Sequence, residues 1–199
     1  MAGRNHPKIG DQIKVEPIRE LKNIKLIKKL LADRPRDLAI FTLGLNTNLR
    51  ASDILRVTVG HVRHLGPEEY FTIREKKTGK EKNITVNKTV HAAIKHLLST
   101  LPPDTPDDAP LFRSRKGECK AITVPYLHGL VKGWCREINL VGNYGSHTLR
   151  KTFGYMHRTI NKTDLPTLMS MFNHSTQRQT LNYLGIQAEE IKSAYLFEL

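Results

Sequence analysis

The chain has 199 residues, 39% of them hydrophobic, which is enough apolar material for a real core and excludes an unstructured basic tail. Lysine and arginine number 32 against 19 acidic residues, and the net charge of +13 points to a polyanionic partner, first of all nucleic acid. Cys119 and Cys135 stand outside any CxxC pair, which argues against a disulfide scaffold or a cysteine zinc site. No stretch has the apolar run of a signal peptide or a membrane span, so the expectation is a soluble, cytoplasmic protein without a membrane partner.

Residues 1–16 are polar, carry Gly and Pro, and read as a flexible N-terminal arm, with residues 17–199 as one domain. From Pro17 the pattern turns helical: Ile18, Leu21, Ile24, Ile27 and Leu30 recur at intervals of three. A second apolar segment holds Leu38, Ile40, Phe41, Leu43 and Leu45 and breaks at Asn46-Thr47-Asn48. Asn48 or Ser52 is placed to cap a short helix carrying Arg50, Asp53 and Ile54. Tyr70 to Arg74 and Asn83 to Val86 alternate polar with apolar around Lys76-Lys77-Thr78-Gly79-Lys80, which predicts a β-hairpin with a glycine-containing turn. Helical periodicity returns near 88–99, stops in the proline-rich loop Leu101 to Pro110, and resumes near 123–138, 147–160, 164–172 and 176–184. A last amphipathic run spans about 188–197. The expected fold is mainly α with one small antiparallel sheet.

Four local signals bear on chemistry. In the first, Arg50 opens a short helix with Asp53 three residues on, a spacing that equally describes a surface ion pair. The second is the lysine-rich turn, whose bland reading is a solvated tip and whose sharper one is a tip dipping into a DNA groove. The third is Ser146-His147-Thr148-Leu149-Arg150: His and Arg three apart at a helix start share a face and reach one phosphate, in the favourable field of the helix N-terminus. In the fourth, His174 precedes Tyr183 by nine residues across a turn and a short helix; a lone tyrosine there is otherwise a core-edge residue.

Taken in order, these signals resemble the tyrosine recombinase (phage integrase) family from about residue 20 onward. The family's succession of an arginine, a hairpin lysine, a His-x-x-Arg, a His or Trp and a tyrosine falls on Arg50, Lys77, His147, Arg150, His174 and Tyr183. Asp53 stands at the family's usual acidic position, and Lys76, Lys80 and Lys151 are read as DNA-binding neighbours. In build the chain is similar to short members such as fimbrial-switch invertases and prophage integrases. Two departures stand out: Asn173 replaces the usual Gly before the motif histidine, and only 49 residues precede Arg50, too few for a separate N-terminal clamp domain. Asn is the residue after Gly that best tolerates a left-handed backbone, so the turn is expected to survive.

The resemblance implies the DNA breaking-rejoining catalytic fold and attack by Tyr183 on a DNA phosphodiester, leaving a 3′-phosphotyrosyl bond that conserves energy for rejoining. Arg50 and Arg150 present planar forks to the non-bridging oxygens. His147 and His174 donate hydrogen bonds, His147 accepts the Tyr183 proton, and Lys77 protonates the departing 5′ oxygen. No cofactor or metal is implied, and no HExxH or cysteine cluster occurs in the sequence. Implied partners are double-stranded DNA, a tetramer of like protomers whose C-terminal segment (187–199) docks in trans or packs in cis, and accessory DNA-bending proteins. The setting implied is the nucleoid of a bacterial host, with a bacterial or phage gene. A catalytically silent DNA-binding regulator on the same fold and a type IB topoisomerase-like relaxing enzyme remain alternatives at this level.

Overall fold

The computed structural model describes residues 15–114, 120–185, 192 and 195–198. The expected N-terminal arm up to residue 14, Cys119 and most of the expected helix near 188–197 lie outside the described residues. Among these residues the fold is mainly helical with one two-stranded antiparallel sheet. In chain order the elements are α1 (Leu21–Leu30), α2 (Pro35–Asn46), α3 (Ala51–Ile54), α4 (Val59–Val62), β1 (Tyr70–Arg74), β2 (Glu81–Thr85), α5 (Lys88–Leu98), α6 (Val124–Glu137), α7 (Ser146–Thr159), α8 (Leu165–Phe172) and α9 (Gln177–Leu184).

Helix α2 is the central rod. Ala39, Ile40, Phe41 and Leu43 are fully buried, so apolar residues cover more than one stripe of it, as a helix enclosed by others requires. It packs on α5 and α7, and Phe41 meets Trp134 of α6 edge to face at 5.8 Å between centroids. Gly44 lets α7 approach closely: a Cβ there would lie 2.6 Å from Leu149 Cδ1. That contact sets the height of the α7 turn carrying His147 and Arg150.

The hairpin pairs Tyr70 with Thr85 and Arg74 with Glu81, and its turn closes through Glu75 N–H to Lys80 O and Gly79 N–H to Glu75 O, with Gly79 at φ 67°. Side chains alternate between faces, so Phe71, Ile73 and Glu75 of one arm and Ile84 and Val86 of the other point inward.

Helices α8 and α9 form a separate small cluster on α7, built from Phe153, Leu168, Phe172 and Leu184. Asp164 and Thr176 cap their N-termini by accepting from Thr167 N–H and Gln179 N–H. Asn173 ends α8 in the left-handed conformation at φ 55°, as the sequence suggests, and His174 N–H returns to Met169 O at 2.9 Å.

The expected cap of α3 differs. Arg50 occupies the N-cap position without a side-chain cap bond, and Ser52 lies inside the helix. Asn48 instead adopts φ 53° and donates through Nδ2 to Met171 O at 2.6 Å, tying the end of α2 to the end of α8. A long-range partner outcompetes the local backbone for this amide. The one-turn helix α4 is also absent from the sequence reading, being too short to show periodicity.

Candidate active site

Arg150 anchors the site. It is 4% exposed, and its fork donates to Asn48 O at 2.8 Å and to Phe172 O at 3.2 Å, with Cζ 5.0 Å from the Phe172 ring centre. Both acceptors are neutral carbonyls, so the fork's orientation is fixed while its charge stays available to an anion.

Arg50 faces it from the start of α3. Its Nη1 lies 2.8 Å from Glu75 Oε1 and 4.0 Å from Asp53 Oδ2. Asp53 is fully buried and spends its other oxygen on Lys76 N–H at 2.9 Å, so it secures the hairpin turn more than it pairs with Arg50. Burial alone would raise the Glu75 carboxyl, but the Thr78 hydroxyl and Arg50 together hold it below its ordinary range.

His147 sits on the exposed side of the first turn of α7. Loss of solvent around the ring, then Arg150, Lys151, Arg50 and His128, hold its pKa below the ordinary value, so it is neutral at pH 7. His174 is half-buried, with Nδ1 at 3.0 Å from Thr180 Oγ1 and its ring edge-on to Tyr183 at 5.5 Å. Desolvation, Arg150 and Arg50 lower its pKa also. When the buried Thr180 hydroxyl donates to Nδ1, the neutral ring carries its proton on Nε2, the nitrogen left to donate to a substrate.

Tyr183 lies on α9 with its ring packed on Phe172 at 5.2 Å and Lys151 Nζ 5.2 Å from the ring centre. Its hydroxyl is buried and has no aligned hydrogen-bond partner among the described residues. Burial raises the phenol pKa, and Arg150 followed by Arg50 opposes that rise. Asn48 Oδ1 and Asp53 Oδ2 share this lack of an aligned partner, while Arg50 Nη1 keeps its ion pair with Glu75. Several orphaned polar atoms in one pocket mark a place where a polar ligand belongs.

The structure thus brings Arg50, Asp53, His147, Arg150, His174 and Tyr183 into one neighbourhood. Lys77 stands apart: with Lys76 and Lys80 it is exposed on the hairpin turn. Two charged groups in the pocket escape the sequence reading, Glu75 and Lys82. Lys82 donates to Met171 O at 3.2 Å, and burial, then Arg150, lower its pKa to about 8 against the opposing pull of Glu75. Strand alternation was the signal available for both, since residues 75 and 82 continue the inward face of each arm. Among the described residues no group of three metal-ligating side chains assembles, and no helix is long and apolar enough to cross a membrane.

The sequence matches the Phage integrase family over residues 19–190. It is 31% identical over 182 residues to the probable integrase/recombinase YoeC of Bacillus subtilis (strain 168), across 91% of this chain and 95% of that protein. It is 30% identical to tyrosine recombinase XerC of Caldanaerobacter subterraneus subsp. tengcongensis over 84% of this chain and 47% of that protein, so it spans about half the length of that relative. Among solved structures the fold is similar to XerA recombinase, with a TM-score of 0.71 at 15% identity over 92% of this chain and 67% of that one. It is also similar to XerH recombinase bound to a palindromic difH substrate, with a TM-score of 0.69 at 17% identity over 92% of this chain and 53% of that one. By sequence match and by fold, the chain belongs to the phage integrase family of tyrosine recombinases.

Proposed function

We propose that the protein is a site-specific DNA recombinase that cuts and rejoins strands through a 3′-phosphotyrosyl bond on Tyr183, with residues 17–199 as its catalytic domain. The observation that carries this reading is the Tyr183 hydroxyl, buried beside Arg150 without an aligned partner, in a pocket where two arginines and two neutral histidines converge. A phenol is a poor nucleophile at neutral pH, and clustered guanidinium groups lower the cost of forming the phenolate.

In the forward step the Tyr183 oxygen bonds to phosphorus, the bond to the 5′ oxygen breaks, and the phenol proton passes to neutral His147. Arg50, Arg150 and His174 hold the non-bridging oxygens as charge grows on them. The departing 5′ oxygen takes a proton from Lys77, the role the family resemblance gives that residue. Rejoining reverses each transfer, so the cycle needs no ATP. Integration, excision and inversion share this chemistry and differ in which 5′ end returns.

The net charge of +13 and the likeness to XerH, solved on its DNA substrate, support duplex DNA as the partner. The working assembly in this reading is a tetramer on two DNA sites, aided by DNA-bending proteins, on the nucleoid in the cytoplasm. Sedimentation of the protein on a synapsed pair of sites measures the stoichiometry directly.

The test is a nicked suicide duplex carrying the junction sequence beside the protein's own gene. Wild type is expected to yield a covalent protein–DNA band, and Tyr183→Phe to bind the duplex without forming one. A band that survives Tyr183→Phe overturns the assignment.

A further inference from the structure

We propose that Lys82 is a further catalytic residue, an ammonium on the inner face of β2 whose charge seats the scissile phosphodiester beside Arg50 and Arg150. The proposal rests on the recombinase reading above.

Its position comes from the strand. Ile84 and Val86 are buried on the inward face of the second hairpin arm, and stepping back by two places Lys82 on that face, directly across from Ile73, with Glu75 the next inward residue of the other arm. A lysine stem lining a core normally carries its head outward to water. Here the head turns into the pocket and meets the C-terminal end of α8 at Met171 O, 3.2 Å away. That carbonyl uses one of three ammonium hydrogens and leaves two.

The charge balance shows what those two are for. Lys82 interacts electrostatically with Arg150 on α7, Glu75 just past the end of β1, Arg50 at the N-cap of α3 and Asp53 within α3. Three cations therefore face two carboxylates, with one positive charge unmatched. The other titratable groups around the pocket do not cancel it. His147 and His174 are held neutral, burial keeps Tyr183 protonated, and Lys151 at the rim over the Tyr183 ring adds to the positive side. Without the Lys82 charge, the two arginines and two carboxylates already balance. Lys82 thus tips the inner charges of the site to net positive, with Lys151 adding to them at the rim, and a phosphodiester, with one negative charge at rest and a second in the five-coordinate state, is the anion that balances them. Burial draws the free ammonium down to about 8, so phosphate binding and protonation of Lys82 favour one another. Lys82 keeps its proton throughout: it supplies charge, and the turn lysine Lys77 supplies the proton to the 5′ oxygen.

The experiment is single-turnover cleavage of the nicked duplex at sub-saturating DNA from pH 7 to 9.5, comparing wild type, Lys82→Arg and Lys82→Met. Wild type is expected to lose about tenfold per pH unit above roughly 8. Lys82→Arg keeps its activity to the top of that range, because its charge does not titrate there. Lys82→Met falls by ~10² at pH 7, the scale of one lost charge-stabilising donor, and that defect persists on a duplex with a bridging 5′ sulfur, whose leaving group needs no proton. Lys82→Met cleaving within twofold of wild type, Lys82→Arg retaining the wild-type alkaline fall, or rescue of Lys82→Met by sulfur would each overturn the proposal. A purely structural tie to Met171 would leave the alkaline fall unmoved in Lys82→Arg. In the Tyr183→Phe background the same pH comparison is read from duplex affinity, so a wild type that forms no covalent band fails the recombinase reading without hiding the outcome for Lys82.

Discussion

Arg50 finds its close carboxylate across the hairpin on Glu75, at 2.8 Å, and not on Asp53 of its own helix, at 4.0 Å. The pair is largely enclosed, with the Arg50 and Glu75 side chains 18% and 7% exposed. Removing one partner of such a pair leaves the other charge poorly solvated. Glu75→Gln is therefore expected to destabilise the fold by about 2 kcal/mol at pH 7, below the cost of a fully buried pair because Arg50 retains some water. The Glu75 carboxyl is held below its ordinary value, so its contribution is present above the unfolded carboxyl range and disappears as pH falls through the lowered one. Urea unfolding of both proteins at pH 7 and near pH 3 checks the sign: the gap between them should close in acid.

The candidate site is legible in the sequence because it rests on residue types whose order is specific: Arg50, His147, Arg150, His174 and Tyr183 are read along the chain, and the fold brings them into one neighbourhood. Glu75 and Lys82 are hidden for a physical reason. In a hairpin carrying Lys76, Lys77 and Lys80, charge itself reads as solvent exposure, and only the alternation carried by Phe71, Ile73, Ile84 and Val86 shows that two of the charged residues face inward. Asn48 is hidden differently. Its partner Met171 lies 123 residues away, and no local rule for capping anticipates a bond made by tertiary packing. Boundaries of the long helices come through well, since an amphipathic face of eleven to fourteen residues, as in α5 and α6, leaves a clear period.

Arg150→Lys tests whether geometry or charge matters most at the anchor. Lysine retains the charge but not the fork that reaches Asn48 O and Phe172 O together. Cleavage of the nicked duplex is expected to fall by ~10²–10³. Unfolding should also occur at lower temperature, because two buried carbonyls lose their shared donor. A variant within a fewfold of wild type would show that charge alone suffices.

On the acid side, the lowered pKa of His147 keeps its ring neutral below the ordinary histidine range, so the acceptor role proposed for it would stay available there. The rate of cleavage is expected to be flat from pH 7 down past 6.5, the unperturbed value, and to fall only once the depressed pKa is reached. His147→Gln should lower the rate throughout and remove the acid limb. If the limb persists in His147→Gln, the acceptor is elsewhere, and His174, lowered by the same surroundings, becomes the residue to change next.

The last prediction concerns how Tyr183 is presented. Helices α8 and α9 hold to α7 through a small cluster separate from the main core, and Gly154 of α7 lies tight against side chains of both. A Cβ there would lie 2.4 Å from Leu184 Cδ2 and 2.7 Å from Phe172 Cζ, and Phe172 also packs against Tyr183 and Arg150. Gly154→Ala must therefore push α9 outward or displace the Phe172 ring, an overpacking cost of about 1–3 kcal/mol. Because the strain falls on the small cluster, cleavage should suffer more than global stability, with the phenol displaced from the arginines while the main core stays intact. Gly133→Ala in α6 is the control: nothing lies within 4 Å of its new Cβ, and helix propensity alone should stabilise it by about 0.5–1 kcal/mol. Thermal unfolding together with covalent trapping on the nicked duplex separates the two. Gly154→Ala trapping DNA at the wild-type rate would show that the seat of Tyr183 does not depend on this close approach.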